Sequence, residues 1–195
     1  MTDEDMFYDP ESVYNYQVRA LMARVPSGVR MHDLVVRDGY ALFWSEWPSQ
    51  WTWSPFTIDN VRYNCAEQWM MASKARLFDD KESLRMIMGA TDPSDQKRYG
   101  RKVRGFDEQK WSSVAYKVVL QGTLEKYRQN KELCDKLIAT AGLTMVEASP
   151  KDKIWGIGLD KSHKDATKPG RWLGKNLLGK ALDEARAIIM KERGL

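Results

Sequence analysis

The chain has 195 residues, enough for one domain, and its 43% hydrophobic and 30% charged content is that of a globular protein with a real core, which excludes disordered and low-complexity classes. Thirty-one Lys and Arg against 27 Asp and Glu leave a net charge of +4, too small to announce a nucleic-acid binder yet compatible with a phosphate-bearing substrate. No apolar run approaches the roughly 18 residues that cross a bilayer, the start MTDEDMFYDPESV reads as neither signal nor transit peptide, and Cys65 and Cys134 form neither a disulfide framework nor a zinc spacing, so a reducing, cytoplasmic setting without membrane attachment is expected.

Residues 1–38 read as an N-terminal extension, with a short helix over 11–24 ending before Pro26-Ser27-Gly28, and 39–195 as the main domain. GYALFW at 39–44 suits a strand. The following WSEWPSQWTWSP has prolines and no period, so it is expected as a loop, and five of the eight tryptophans (Trp44, Trp47, Trp51, Trp53, Trp69) fall in and just after it. FTIDNVRY at 56–63 predicts a hairpin turning at Asp59-Asn60. A helix is expected over 65–79, capped by Asn64 with Glu67 at capping-box spacing, its region extending to Gly89. Asp92-Pro93 opens the next helix, which carries Lys97, Arg98, Arg101 and Arg104. Longer helices follow at 107–129 and 175–192, a short one at 131–140, a strand at 143–148 and a loop over 155–175. The sum is an α+β fold, a predominantly α-helical single domain with two or three short strands and no βαβ alternation of the Rossmann kind.

No GxSxG, P-loop, HExxH or CxxC motif occurs, and His32 and His163 fall in expected loops, so no metal is expected and chemistry must rest on carboxylates, lysine, arginine and aromatics. Glu67 and Lys74 lie seven residues apart, two helical turns, and so share a face. Glu67 also suits a purely structural capping box. Its place in a first turn favours the ionised form. Trp69 and Trp111 suit the core as well as a ligand platform. The basic cluster suits a solvated face as well as a phosphate site, since Arg forks match phosphate oxygens. Gly174-Lys175-Asn176 precedes the last helix, whose free amides are a second place for an anion, unless Asn176 caps them. The cysteines suit small buried positions.

Three blocks, PFTIDNVRYNCAEQWMMASKARLF (55–78), VEASPKDKIWGIGLD (146–160) and GKNLLGKALDEAR (174–186), resemble, in order, those of the NADAR family of N-glycosidases. The resemblance covers roughly residues 40–190. Where the family has a Ser-Asn-Phe segment, this chain has Trp44-Ser45-Glu46-Trp47. The resemblance implies hydrolysis, without cofactor, of a bond between a phospho- or ADP-ribose and a base. Substrates of that class are phosphoribosylamino-pyrimidine intermediates of riboflavin synthesis and ADP-ribosylated guanine in DNA or RNA. It implies Glu67, Lys74 and Asp152 as catalytic residues and Ser45, Trp155, Gly156, Gly158 and Asn176 as substrate contacts; the residues themselves add Arg101 or Arg104 for the phosphate and Trp69 and Trp111 as further candidate contacts. Cleavage through an oxocarbenium-like state needs such a carboxylate, and a partly buried amine can attack the sugar. The alternative is a non-catalytic ADP-ribose or nucleotide-binding module. Retention of Glu67, Lys74 and Asp152 favours the enzyme.

Overall fold

The computed structural model describes residues 30–31 and 33–195, the first two by backbone alone. The helix expected at 11–24 and His32 lie outside the described residues. In chain order the elements are β1 (Arg30–Met31), β2 (Leu34–Arg37), β3 (Tyr40–Phe43), β4 (Phe56–Ile58), β5 (Val61–Tyr63), α1 (Ala66–Leu77), α2 (Lys81–Gly89), α3 (Pro93–Gly100), α4 (Glu108–Gln129), α5 (Lys131–Ala139), β6 (Thr144–Glu147), a 3-10 turn (Pro169–Arg171) and α6 (Leu177–Glu192). The fold is α+β and mostly helical, as expected. The six strands among the described residues exceed the two or three expected.

The larger sheet has the order β1-β2-β3-β6. β2 and β3 pair antiparallel through Asp38 and Gly39, both at positive φ, and β6 joins β3 in parallel with Phe43 opposite Glu147. Leu34 and Val36 are buried, so the sheet takes in residues ahead of the expected domain start at residue 39. Side chains alternate across a strand. Ala41, Phe43 and Met145 therefore enter the main core with the helices, while Leu42 and Val146 enter a smaller one with Ile157, Leu159 and Ala166. Glu147, two residues past Met145, faces the helical side by the same alternation. The β4–β5 hairpin turns at Asp59 and Asn60, with φ of 50° and 62°, as predicted.

Helix α1 has no single apolar stripe because it is the central helix: Ala66, Glu67, Gln68, Trp69, Met70, Met71, Ala72 and Ala75 are all buried. Its neighbours approach closely where they carry glycine. A Cβ on Gly100 would fall 2.0 Å from Met71 Sδ, and one on Gly122 would fall 2.3 Å from Trp69 Cδ1. The single helical region expected to run to Gly89 is broken. Asp79 turns left-handed, and Asp80 starts α2 by accepting from Ser83 N at 3.1 Å. Helix α6 buries Leu178, Ala181, Leu182, Ala185 and Ile189 at helical spacing.

Candidate active site

Glu67 sits in the first turn of α1, 4% exposed, yet the capping box does not form. Asn64 turns its side chain to Thr91 O and Gln96, and Gln68 Oε1 accepts from Asn64 N at 2.8 Å in the place assigned to Glu67. One Glu67 oxygen accepts from Trp51 Nε1 at 3.3 Å, and the other is buried without a partner. The helix terminus was expected to favour the carboxylate. Burial outweighs it and pushes the carboxyl above the ordinary range, with Asp152 adding to the rise and Lys97, the Trp51 indole and Lys74 opposing it.

Lys74, two turns on, places Nζ 5.1 Å from the Phe106 ring centroid and 5.3 Å from that of Trp111. Burial lowers its pKa, Glu67 opposes the shift, and Arg101 and Lys97 add to it. A lysine so placed has more neutral amine than one in water. Trp111 thus belongs to the surroundings of Lys74. Trp69 does not: it donates to Val118 O at 2.7 Å and packs edge-on against Tyr63 in the core, so the sequence expectation of a substrate contact is corrected.

The block at 146–160 supplies a second and a third acid. Asp152 Oδ1 accepts from Ile154 N at 2.9 Å and Trp155 N at 2.8 Å, fixing the turn from which its charge reaches Glu67. Glu147 was missed. Its Oε2 is buried without a partner, and burial, then Asp152 and Glu67, push its carboxyl up to about 8 against the pull of Lys97. The signal was present in Thr144–Glu147, where a charged residue shares the face of a buried Met145.

Gly156, Gly158 and Asn176 build this corner from the protein's own backbone. A Cβ on Gly156 would fall 2.8 Å from Glu147 O, and Gly158, at φ +71°, has Leu173 in the corresponding space. Asn176 accepts from Glu147 N at 3.0 Å and donates to Met145 O at 3.0 Å, and it adds no side-chain cap to α6. The amides of Lys175, Asn176, Leu177 and Leu178 donate to carbonyls of Lys153, Gly156, Ile154 and Trp155. The anion site considered at the start of the last helix is therefore filled by that turn. Trp155 is half-buried against the main core.

The basic cluster divides. Lys97 and Arg101 act on Lys74, and Lys97 Nζ lies 5.6 Å from the Trp51 ring. Gly100, between them, seats α3 on Met71 and so brings both to the Glu67–Lys74 face. Arg98 pairs with Asp95 at 2.6 Å. Arg104 pairs with Asp80 at 2.9 Å and Glu82 at 3.4 Å, a helix-capping contact in place of the expected substrate contact. Ser45 is exposed at the start of the tryptophan loop, beside Glu46, which is paired with Lys161. Cys65 and Cys134 are buried thiols, and burial pushes Cys65 up to about 11. An open, mostly apolar groove of about 500 Å³ lies between the β4–β5 hairpin, α1 and α4, and its lining includes none of Glu67, Lys74, Glu147 and Asp152. Among the described residues no three His, Cys, Asp or Glu are arranged to hold a metal ion, and no helix is long and apolar enough to cross a membrane.

Glu67 beside Lys74, with Glu147 and Asp152 acting on Glu67 through their charge, forms a cluster of ionisable groups where the short mixed sheet meets the central helix. The chain belongs to the NADAR family: residues 41–190 match the NADAR domain. It is similar to N-glycosidase R617 of Acanthamoeba polyphaga mimivirus, 43% identical over 126 residues that cover 65% of this chain and 74% of that one. It is also similar to protein irg-1 of Caenorhabditis elegans, 40% identical over 128 residues that cover 65% and 60%. The NMR structure of the E. coli protein YbiA matches with a TM-score of 0.67 and 26% identity, over 87% of this chain and 95% of that one.

Proposed function

We propose that this chain hydrolyses the N-glycosidic bond between a phosphate-bearing ribose and a base. The observation that carries the reading is Glu67: a buried carboxyl with one oxygen left unpartnered, next to Lys74. An unpartnered buried carboxyl is unfavourable for folding, and it suits a cation that forms only during reaction. In this scheme Glu147 enters protonated and gives its proton to the departing base. Glu67, in its carboxylate form, stabilises the oxocarbenium-like ribose. The neutral Lys74 amine attacks C1′ as the bond to the base breaks; water then attacks C1′, expels the Lys74 amine and returns a proton to Glu147, so that the base leaves with hydrogen and the ribose with hydroxyl. Lys97 and Arg101 hold phosphate. Trp44, Trp51 and Trp53, all exposed, offer faces on which the base or its neighbours in a nucleic-acid strand stack.

The test is mass spectrometry of the products after incubation with ADP-ribosylated DNA, ADP-ribosylated RNA and phosphoribosylamino-uracil. Wild type is expected to release base and phosphorylated sugar from at least one of them. Glu67→Gln should be slower by about a hundredfold with unchanged or raised Tm, since a neutral amide replaces a buried acid. Saturable binding with no release from any substrate would instead support a nucleotide-binding module, and a fully active Glu67→Gln enzyme would remove Glu67 from the chemistry.

A further inference from the structure

The tryptophan loop, residues 44–55, crosses the site without helix or strand, so its backbone groups need partners from elsewhere. One comes from an unexpected source. Lys126, in the last turn of α4, is 2% exposed, and its Nζ donates to Trp47 O at 3.1 Å and Ser49 O at 2.8 Å. The Ser49 carbonyl also accepts from Thr52 N at 3.3 Å and so closes a turn around Gln50 and Trp51. Both central residues of that turn contact the candidate catalytic glutamate. Gln50 O accepts from Glu67 N at 3.0 Å, and Trp51 Nε1 donates to Glu67 Oε2 at 3.3 Å. The same end of α4 holds the loop at two further points: Trp47 packs edge-on against Tyr127, and Asn130 Nδ2 donates to Pro55 O at 3.0 Å.

We propose that Lys126 is a positioning residue for Glu67: its buried ammonium pins the Ser49–Thr52 turn and through it sets the Trp51 indole against the Glu67 carboxyl. Burying an ammonium against two carbonyls is unfavourable compared with burying a methionine of similar length, so the fold gains little from a charge here, whereas the loop gains two fixed carbonyls. The fragility of the arrangement has the same origin, since burial brings the Lys126 pKa down to about 7. This role rests on the proposed glycosidase chemistry of Glu67. The pinning itself does not depend on that chemistry.

Lys126→Met keeps the stem and removes the donors. It is expected to lower kcat about tenfold or more while KM moves by less than about threefold, with Tm unchanged or raised. The NMR signal of the Trp51 indole N–H, assigned by its loss in Trp51→Phe, should shift and exchange faster with water. In the Trp51→Phe background the added effect of Lys126→Met on kcat should shrink, because both act through one contact. A folded Lys126→Met protein with wild-type kcat, or with an unmoved Trp51 indole signal, would overturn the proposal. So would a loss of activity that only tracks a fall in Tm. If Lys126→Met does not fold, Lys126→Gln, which keeps one donor, takes its place. An intermediate kcat and an intermediate indole shift support the role, and wild-type values overturn it. If wild type releases base from no substrate, the glycosidase reading fails while the indole signal still decides whether Lys126 pins the loop.

Discussion

Glu67, Glu147 and Lys74 are each shifted toward the neutral form, with burial the largest cause in every case. Such shifts suit groups that exchange protons during a reaction. With Glu147 brought up to about 8, its acid form dominates at pH 7 and is lost above that. Turnover is therefore expected to fall as pH rises past about 8. Glu147→Gln should lower kcat about a hundredfold and abolish that alkaline limb in what activity remains. A pH–rate profile of the two proteins checks this, and an unchanged limb in the variant would assign it to another group. At this scale the sequence was informative where spacing decides: Glu67 and Lys74 do share a face of one helix. It was misleading where two neighbours compete for one contact. Glu67 had capping-box spacing, but Gln68 reaches Asn64 N and leaves Glu67 to the site. Glu147 is marked only by sharing a strand face with Met145, and Lys126, in the charged run EKYRQNKE, carries no local mark, because its role depends on a loop 77 residues away.

Among the elements, the corner where β6 meets α6 decides whether the Glu147 carboxyl is held in place. Asn176, at φ 52°, bridges Glu147 N and Met145 O, and the first turn of α6 must leave room for it. Gly179 supplies that room: a Cβ there would lie 2.1 Å from Met145 O and 2.4 Å from Asn176 Nδ2. Neither atom can yield without breaking the bridge, so Gly179→Ala is expected to destabilise the fold by about 3 kcal/mol or more. Gly89, at the end of α2, has nothing within 4 Å of a built Cβ, and Gly89→Ala should change stability by less than about 1 kcal/mol in either direction. Urea midpoints of the two variants, compared with wild type, test the contrast, and equal losses would contradict it. The helices and the hairpin were legible because period, caps and the Asp59-Asn60 turn are local. The parallel pairing of β3 with β6 was not, since their register, Tyr40 opposite Thr144, is set by packing between segments about a hundred residues apart. The fate of the α6 amides was hidden for the same reason, because the turn that fills them is recognisable only once the corner is assembled.

Across the whole molecule, the groups that shape the site also set how stability depends on pH. Glu147 and Asp183 both have folded-state pKa values raised by burial, to about 8 and about 6. The folded protein binds their protons more tightly than the unfolded chain, so their contribution is complete below the ordinary carboxylate range and is lost as pH rises through those values. Asp80 and Asp92 lie below the ordinary range, Asp80 chiefly through its hydrogen bond to Arg104 and Asp92 through that to Ser94, so their contribution is lost only as the solution becomes strongly acidic. Between these windows the fold should be most stable near pH 5 and should weaken toward pH 8. Lys126 adds the opposite trend, since its folded pKa is lowered to about 7 and its stability contribution grows as pH rises from there toward the ordinary lysine value. The decline from pH 5 to 8 should thus amount to a few kcal/mol and flatten above pH 8. Replacing Glu147 by Gln removes one source of that decline. Urea unfolding of wild type and Glu147→Gln at pH 5, 6, 7 and 8 is expected to give curves that converge toward pH 5 and separate toward pH 8, with the variant the more stable at pH 8. Parallel curves would mean that Glu147 titrates in the folded protein as it does in the unfolded chain, and the acid role assigned to it at neutral pH would fall with that result.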